Sequence, residues 1–321
     1  MSSAVAGRAP RFVVFGCGAV GSVFAARLAS RVPVAVVARG ARLAAIRRRG
    51  LTVEGATTAR LEIRAEATAG DLAGFDPDYV LVTVKAQHTE AAAAGLEALG
   101  PESVRVSVQN GLGNEERLAA GGAPVIGAVN NNGATLLDDG RVFHAGLGEV
   151  ILGGWAHVGK QAVEALQACL TGAGFAARTV SDIRRPLWEK AILNAATNPV
   201  TALLRLRTGR LLDDPGVRVV MERSVCEAVA VARAEGVATS EDAVWAMIRR
   251  VVAATPQNKS STLQDLERGI PTEVDSFTGV IIRRAARHGV ATPWNALLHR
   301  LIRRAEHRSS MGPALHGANA P

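Results

Sequence analysis

A chain of 321 residues, about half of them apolar, is long enough for two hydrophobic cores and too hydrophobic for its bulk to be disordered. Its formal charge of +8 would suit nucleic acid, a membrane surface or acidic small molecules. The arginines are scattered, however, and one tyrosine and few other aromatics leave little to stack on bases, so a solvated arginine-rich surface is the expectation. Three cysteines without metal-ligand spacing, no charge-free apolar run of about 18 residues and an N-terminal apolar run too short for a secretory signal point to a reduced, cytoplasmic protein that spans no membrane.

In chain order, roughly the first ten residues and the tail from Ser309 are expected to be disordered. An α/β domain is expected over 11–181 and a helical one over 182–308. The stretch RFVVFGCGAVGSVFAARLAS reads as strand, Gly16-x-Gly18-x-x-Gly21 and helix, an order that makes a weak glycine motif into a strong dinucleotide signal. The first glycine permits the tight turn, the second lets backbone approach a pyrophosphate, and the third lets helix and strand pack. At the end of the next strand, VPVAVV, an NAD site would place an acid for the ribose. Ala38 and Arg39 stand there, with Arg42 one turn on, which favours the 2'-phosphate of NADP; a plain surface arginine is the alternative.

LEIRAEA reads as a strand, and DPDYVLVTVK as a buried strand that ends at Lys85 before a helix. SVRVSVQNG repeats the unit with Asn110 at its end. Ligands of open α/β sheets gather beyond the carboxyl ends of strands, where Lys85 and Asn110 fall, though either could merely cap a helix. APVIGAVNNNGATLL, GRVFHAG and GEVILGG then predict short strands in an antiparallel extension. A linker is expected over Asp182 to Pro186, a helix from Leu187, and helical periodicity thereafter.

The chain carries 37 cationic side chains, of which only Lys85, Lys160, Lys190 and Lys259 are lysines. One of them, in LWEKAILNAATNPVTAL, aligns with Asn194 and Asn198 at four-residue spacing, a polar stripe on an otherwise apolar helix that must face water or a polar cavity. Pro199 is expected to distort or end that helix. A second polar cluster, Asn258, Ser260, Ser261, Gln264 and Asp265, precedes Glu273, which either complements a helix dipole or meets a ligand.

With GCGAVG, VKAQ, QNGLGN, LWEKAILNAATNPVTAL and NKSSTLQDLERGIPTEVDSFTG in that order, the chain resembles the ketopantoate reductases from Phe12 to about Arg304. The resemblance implies a Rossmann-type α/β domain, an all-helical domain like that of 6-phosphogluconate dehydrogenase, and an active site in the cleft between them. It implies NADPH-dependent reduction of a 2-keto acid, with Lys190 as general acid and Glu273 beside it. Asn110, Asn194, Asn198 and Ser261 would bind substrate. Gly16, Cys17, Gly18, Ala19, Val20, Gly21, Arg39, Lys85, Asn110, Glu273 and a position near Ala134 would hold NADP(H). The substrate-contacting asparagine that some members carry after the lysine helix is Thr208 here. Reduction of another branched keto acid or turnover of a 3-hydroxy acid is therefore an alternative, and a non-catalytic NADP-sensing protein a distant one. The partner is expected to be a small 2-keto acid, with no nucleic acid, no membrane and no metal, and a homodimer is a possible assembly.

Overall fold

The computed structural model describes residues 8–310. Of the segments expected to be disordered, 1–7 and 311–321 lie outside the described residues. Arg8 corrects part of that expectation, because its guanidinium donates to both carboxylate oxygens of Asp78 at 2.8 and 3.0 Å, and the last helix runs on to Ser310. The chain divides into two compact units between Pro186 and Leu187.

The first unit is Rossmann-type α/β. In chain order it has β1 (Phe12–Phe15), α1 (Ala19–Leu28), β2 (Val34–Val37), α2 (Gly40–Arg49), β3 (Leu51–Gly55), β4 (Ala59–Leu61), β5 (Arg64–Glu66) and β6 (Tyr79–Val82). Then come α3 (Thr89–Leu96), β7 (Val104–Ser107), α4 (Asn114–Leu118), β8 (Val125–Asn130), β9 (Gly133–Leu136), β10 (Val142–Gly146), β11 (Glu149–Ala156), α5 (Lys160–Gly172) and β12 (Ala176–Thr179). Eight strands form one sheet in the order β12-β11-β8-β7-β6-β1-β2-β5. All neighbouring pairs are parallel except β8 with β11. The strand FVVF is buried along its whole length, as a parallel strand covered on both faces must be. Phe12 of β1 lies opposite Val34 of β2 and Tyr79 of β6, so the chain leaves β1 to one side and later returns to the other. The carboxyl end of β1 is therefore the point where strand order reverses, which is where such sheets take ligands.

Two expectations fail here for one reason. LEIRAEA is two strands, not one: β4 ends at Leu61, and β5, after a two-residue break, joins the large sheet. β9 and β10 do pair antiparallel, but they leave the large sheet for a small one ordered β4-β3-β10-β9. Its central pairing, β3 with β10, is parallel and joins segments far apart in sequence, so no local pattern announces it. α1 lies against β3, β9 and β10 as well as β1 and β2, and this second sheet thus covers the helix that follows the glycine turn.

The second unit is helical, with α6 (Arg184–Leu204), α7 (Pro215–Ala234), α8 (Glu241–Ala254), α9 (Ser261–Glu267), α10 (Thr278–His288) and α11 (Pro293–Ser310). α6 begins three residues earlier than expected, within the first unit. The Asp182 carboxylate accepts the Arg184 N–H at 2.9 Å, and Pro186 falls in the first turn, where an N–H has no intrahelical partner to lose. Pro199 does not end α6, which continues five residues beyond it. No helix among the described residues is long and apolar enough to cross a membrane.

α11 is fastened to α7 at its start. Glu227 accepts the N–H groups of Trp294 (2.9 Å) and Asn295 (3.0 Å) and the Asn295 side-chain amide (2.8 Å), and that amide also donates to the Ser224 carbonyl at 3.0 Å. Asn295 and Ser224 are fully buried. Truncating Glu227 strands three donors, so Glu227→Ala is expected to cost about 2–4 kcal/mol, read as a lowered urea midpoint with an unchanged slope.

Candidate active site

The glycine turn is a stretch of backbone with its side chains removed for two different reasons. Gly16 has φ +98°, and a Cβ there would lie 2.5 Å from Val84 Cγ1 and 2.8 Å from Val84 N. At Gly21 a Cβ would meet Thr83 Oγ1 at 2.5 Å and Gly16 O at 2.8 Å. Both glycines serve packing within the protein. Gly18 differs: its φ is −80°, and a Cβ would find only Gly16 O, 3.9 Å away. Space is left open at the head of α1, whose first N–H groups lack intrahelical partners and receive no side-chain cap. Ala19 and Val20 lie half-buried in that first turn. Cys17 is buried, with its thiol pushed up by desolvation, so it behaves as packing rather than as a nucleophile.

The two nearby arginines divide their work. Arg42 is committed to the fold: its guanidinium donates to Cys17 O at 2.8 Å, to Ser22 Oγ at 2.6 Å and to Gly140 O. Arg39, at the carboxyl end of β2, is exposed and its side chain has no hydrogen bond or ion pair among the described residues. Lys85 is half-buried, three residues past the end of β6. Asn110 is half-buried three residues past β7; its carbonyl accepts the Asn114 amide at 3.0 Å, while its own amide has no protein partner among the described residues. Ala134 sits in β9 of the small sheet, opposite His144.

Sequence reading missed the network that holds this rim. Gln109 donates to Val84 O (2.9 Å) and Thr89 Oγ1 (2.7 Å), and Thr89 Oγ1 lies 2.9 Å from Asn114 Oδ1. The ends of β6 and β7 are thereby tied together through buried polar side chains. A partial signal was available in the recurrence of Asn110 and Asn114 around the glycines of QNGLGN, which the structure joins by the Asn114 amide donating to the Asn110 carbonyl.

In the second unit the expected stripe lies on α6 and is not on open surface. Lys190 and Asn194 are half-buried and Asn198 is 8% exposed, on a helix with 13 buried residues. The Asn194 amide has no protein partner among the described residues, and the Asn198 side chain has only the Thr197 hydroxyl, which donates to its Oδ1 at 3.4 Å. Desolvation pushes the Lys190 ammonium down from 10.5 to about 8, against the smaller opposing pull of the Glu273 carboxylate. Glu273 is buried and precedes a single 3-10 turn, not the head of a long helix. Ser261 is exposed at the first position of α9, whereas Ser260 before it is buried: its hydroxyl caps α9 through Leu263 N (3.2 Å) and meets Thr201 Oγ1 of α6 at 2.7 Å. Thr208 is buried, with both its N–H and its hydroxyl on Asn258 O at 3.0 and 3.1 Å. No cluster of residues that could hold a metal ion occurs among the described residues.

Comparison with known proteins follows the same division. Residues 12–157 match the family described as "Ketopantoate reductase PanE/ApbA", and residues 182–306 match "Ketopantoate reductase PanE/ApbA C terminal". A 2-dehydropantoate 2-reductase of Archaeoglobus fulgidus is 36% identical over 303 residues, 93% of this chain and 99% of that protein. The crystal structure of a PanE/ApbA family ketopantoate reductase from Ralstonia eutropha is similar at a TM-score of 0.85 and 34% identity, over 93% of this chain and 99% of that one. D-mandelate dehydrogenase, solved with NADH and anilino(oxo)acetate, shares the fold at a TM-score of 0.87 and 22% identity, over 93% of this chain and 99% of that one.

The glycine turn yields a contrast in stability. Gly16→Ala forces a side chain into Val84 at positive φ and is expected to cost about 1–3 kcal/mol, whereas Gly18→Ala should leave the urea midpoint close to wild type.

Proposed function

Given that this chain belongs to the ketopantoate reductase family, we propose that it reduces ketopantoate to pantoate with NADPH, Lys190 donating the proton. It is an oxidoreductase acting on a CH–OH group, not a cofactor-sensing binding protein. The observation that carries the reading is Lys190 itself, a desolvated amine on which Glu273 acts, one and two turns from the amides of Asn194 and Asn198, which lack good protein partners.

The first unit suits a dinucleotide. The turn from Gly16 to Gly21, through Cys17, Ala19 and Val20, would hold the pyrophosphate, because Gly18 leaves the α1 amides uncovered. Arg39, exposed and unpartnered among the described residues, would pair with a 2'-phosphate; Lys85 and Asn110 at the strand ends and Glu273 complete the set, with the position near Ala134 kept as a further contact. NADPH, when bound, supplies the hydride that the ketone carbon receives.

As charge develops on the ketone oxygen, the Lys190 ammonium stabilises it and then gives up a proton from Nζ. A pKa of about 8 suits both tasks: at pH 7 about nine-tenths of the groups are still protonated, yet the proton leaves far more readily than from an ordinary lysine. Arginine, with a pKa above ~12, would stabilise the oxygen but keep its proton. Asn194, Asn198 and Ser261 would orient the keto acid, with Asn110 touching both cofactor and substrate, and truncating any one would cost about 1–3 kcal/mol of binding or transition-state energy. A second reading, reduction of another branched 2-keto acid, draws on Thr208: its hydroxyl is spent on Asn258 O, so it offers a ligand less than an asparagine amide would.

Ketopantoate should therefore be the best substrate of a keto-acid panel followed by NADPH absorbance, and a stronger response to another branched acid would move the assignment there. Lys190→Ala is expected to lower turnover by about 100-fold to 10,000-fold while NADPH still binds; near-normal turnover would remove Lys190 from the mechanism. The sign of the pH effect is fixed. Reduction needs the ammonium, so its rate should fall as pH rises through about 8, and pantoate oxidation, which needs the neutral amine, should rise over the same range. For the cofactor, Arg39→Ala should weaken NADPH by about 10- to 100-fold and barely change NADH, measured as the ratio of kcat/KM values.

A further inference from the structure

The segment that carries Glu273 runs along the surface of the second unit and turns one carboxylate inward. Pro271 and Asp275 are exposed, while Glu273 between them is buried. It immediately precedes a single 3-10 turn, Val274–Ser276, too short to hold a neighbouring side chain rigidly by itself. The residues on either side of it are held by α11. The Thr272 N–H and hydroxyl both donate to Glu306 Oε1, at 2.8 and 2.6 Å, and the same hydroxyl accepts Val274 N–H at 3.3 Å. On the other side, His299 Nε2 lies 2.7 Å from Asp275 Oδ1, and Arg303 Nη1 lies 3.7 Å from Asp275 Oδ2. Arg303 also holds Glu306 Oε2 at 2.8 Å. His299, Arg303 and Glu306 are spaced four and three residues apart and so share one face of the helix.

We propose that this face of α11 is a clamp that grips the residues on either side of Glu273, and that Glu306 is thereby a positioning residue for proton donation by Lys190. The inference rests on the reading of Lys190 as the acid. Glu306 is well placed for the role: its side chain is only 13% exposed, and both its oxygens are engaged. α11 is itself immobilised at its start by Glu227 and in its middle by Ile302, which shares a buried apolar cluster with Ala202 of α6, Leu263 of α9 and Val274 of the turn. One rigid element therefore packs on the turn that follows the carboxylate and shares its apolar cluster with the helix that bears the lysine.

Glu273 is the charged group that acts on the Lys190 amine, favouring its protonated form. Charged side chains on α6 and the elements around it among the described residues include Glu189 on α6 itself, Asp265, Arg268 and the Glu267–Lys259 pair by α9, Arg304, Glu306 and Arg308 on α11, Asp275 with His299 and Arg303, and Arg284 with Glu235 beside Trp188. Loosening Glu273 removes a pull toward the ammonium, so the lysine would lose its proton at lower pH.

The test is the pH profile of NADPH-driven ketopantoate reduction in the full-length protein. Glu306→Ala should move the alkaline limb down by about half a unit or more, lowering turnover on that limb about threefold, with NADPH affinity unchanged. Glu306→Gln keeps an amide oxygen for both Thr272 donors and should restore the wild-type limb. Thr272→Val, which removes only the hydroxyl, should move the limb the same way by a smaller step and carries the test if Glu306→Ala fails to fold. A lowered melting temperature with an unmoved limb in both Glu306→Ala and Thr272→Val would reduce the clamp to a structural tie and overturn the proposal. If Lys190→Ala keeps its turnover, the acid assignment fails first and the clamp's catalytic role falls with it.

Discussion

A half-buried primary amine that has lost much of its water on a largely buried helix, with the Glu273 carboxylate acting on it, is the constraint around which the second unit is arranged. Two opposing effects act on Lys190, and desolvation is the larger: had the attraction of Glu273 won, the lysine would sit above its ordinary value instead of near 8. The surrounding helix is built to maintain that imbalance. α6 is buried along most of its 21 residues, passes through Pro199 without ending, and is tied to α9 by the Thr201–Ser260 hydrogen bond. A surface helix could not hold a lysine in this state, because water would restore its solvation.

Replacing this lysine by the chain's commoner cation would change the chemistry rather than the charge. The guanidinium is delocalised and keeps its proton under all working conditions, while an ammonium shifts readily when it is buried. The arginines serve where a permanent cation is wanted. Arg42 braces the glycine turn through carbonyl and hydroxyl oxygens, and Arg39 is left exposed at the end of β2. Residues three apart on adjoining turns thus take opposite roles, one structural and one available, and only the hydrogen-bond geometry tells them apart.

The smaller sheet shows how a Rossmann-type unit can be elaborated without disturbing its ligand edge. β3 and β4 are inserted between β2 and β5, and β9 and β10 between β8 and β11, yet the parallel core from β5 to β8 keeps its register. The insertions meet on the outer side of α1, so the helix at the head of the glycine turn is covered on both faces. Its position is then set by packing, leaving the uncapped amides as the part of the helix not engaged by protein.

The fold class was legible because its signals are local. Alternation of buried strands with helices, the glycine spacing after β1, and 3.6-residue periodicity beyond Leu187 each depend on residues within a turn or two of one another. The same holds for the stripe of Lys190, Asn194 and Asn198, which follows from helix geometry alone. What could not be read locally was every feature made by segments distant in sequence: the break of LEIRAEA between two sheets, the pairing of β3 with β10, the commitment of Arg42 to Gly140, and the exposure of Ser261 beside a buried Ser260. The residue types and their spacing determined what chemistry the chain can attempt. Only the tertiary structure decided which amine loses its water and which carboxylate stands near it, because desolvation and Coulomb attraction depend on distances through space that sequence separation does not encode.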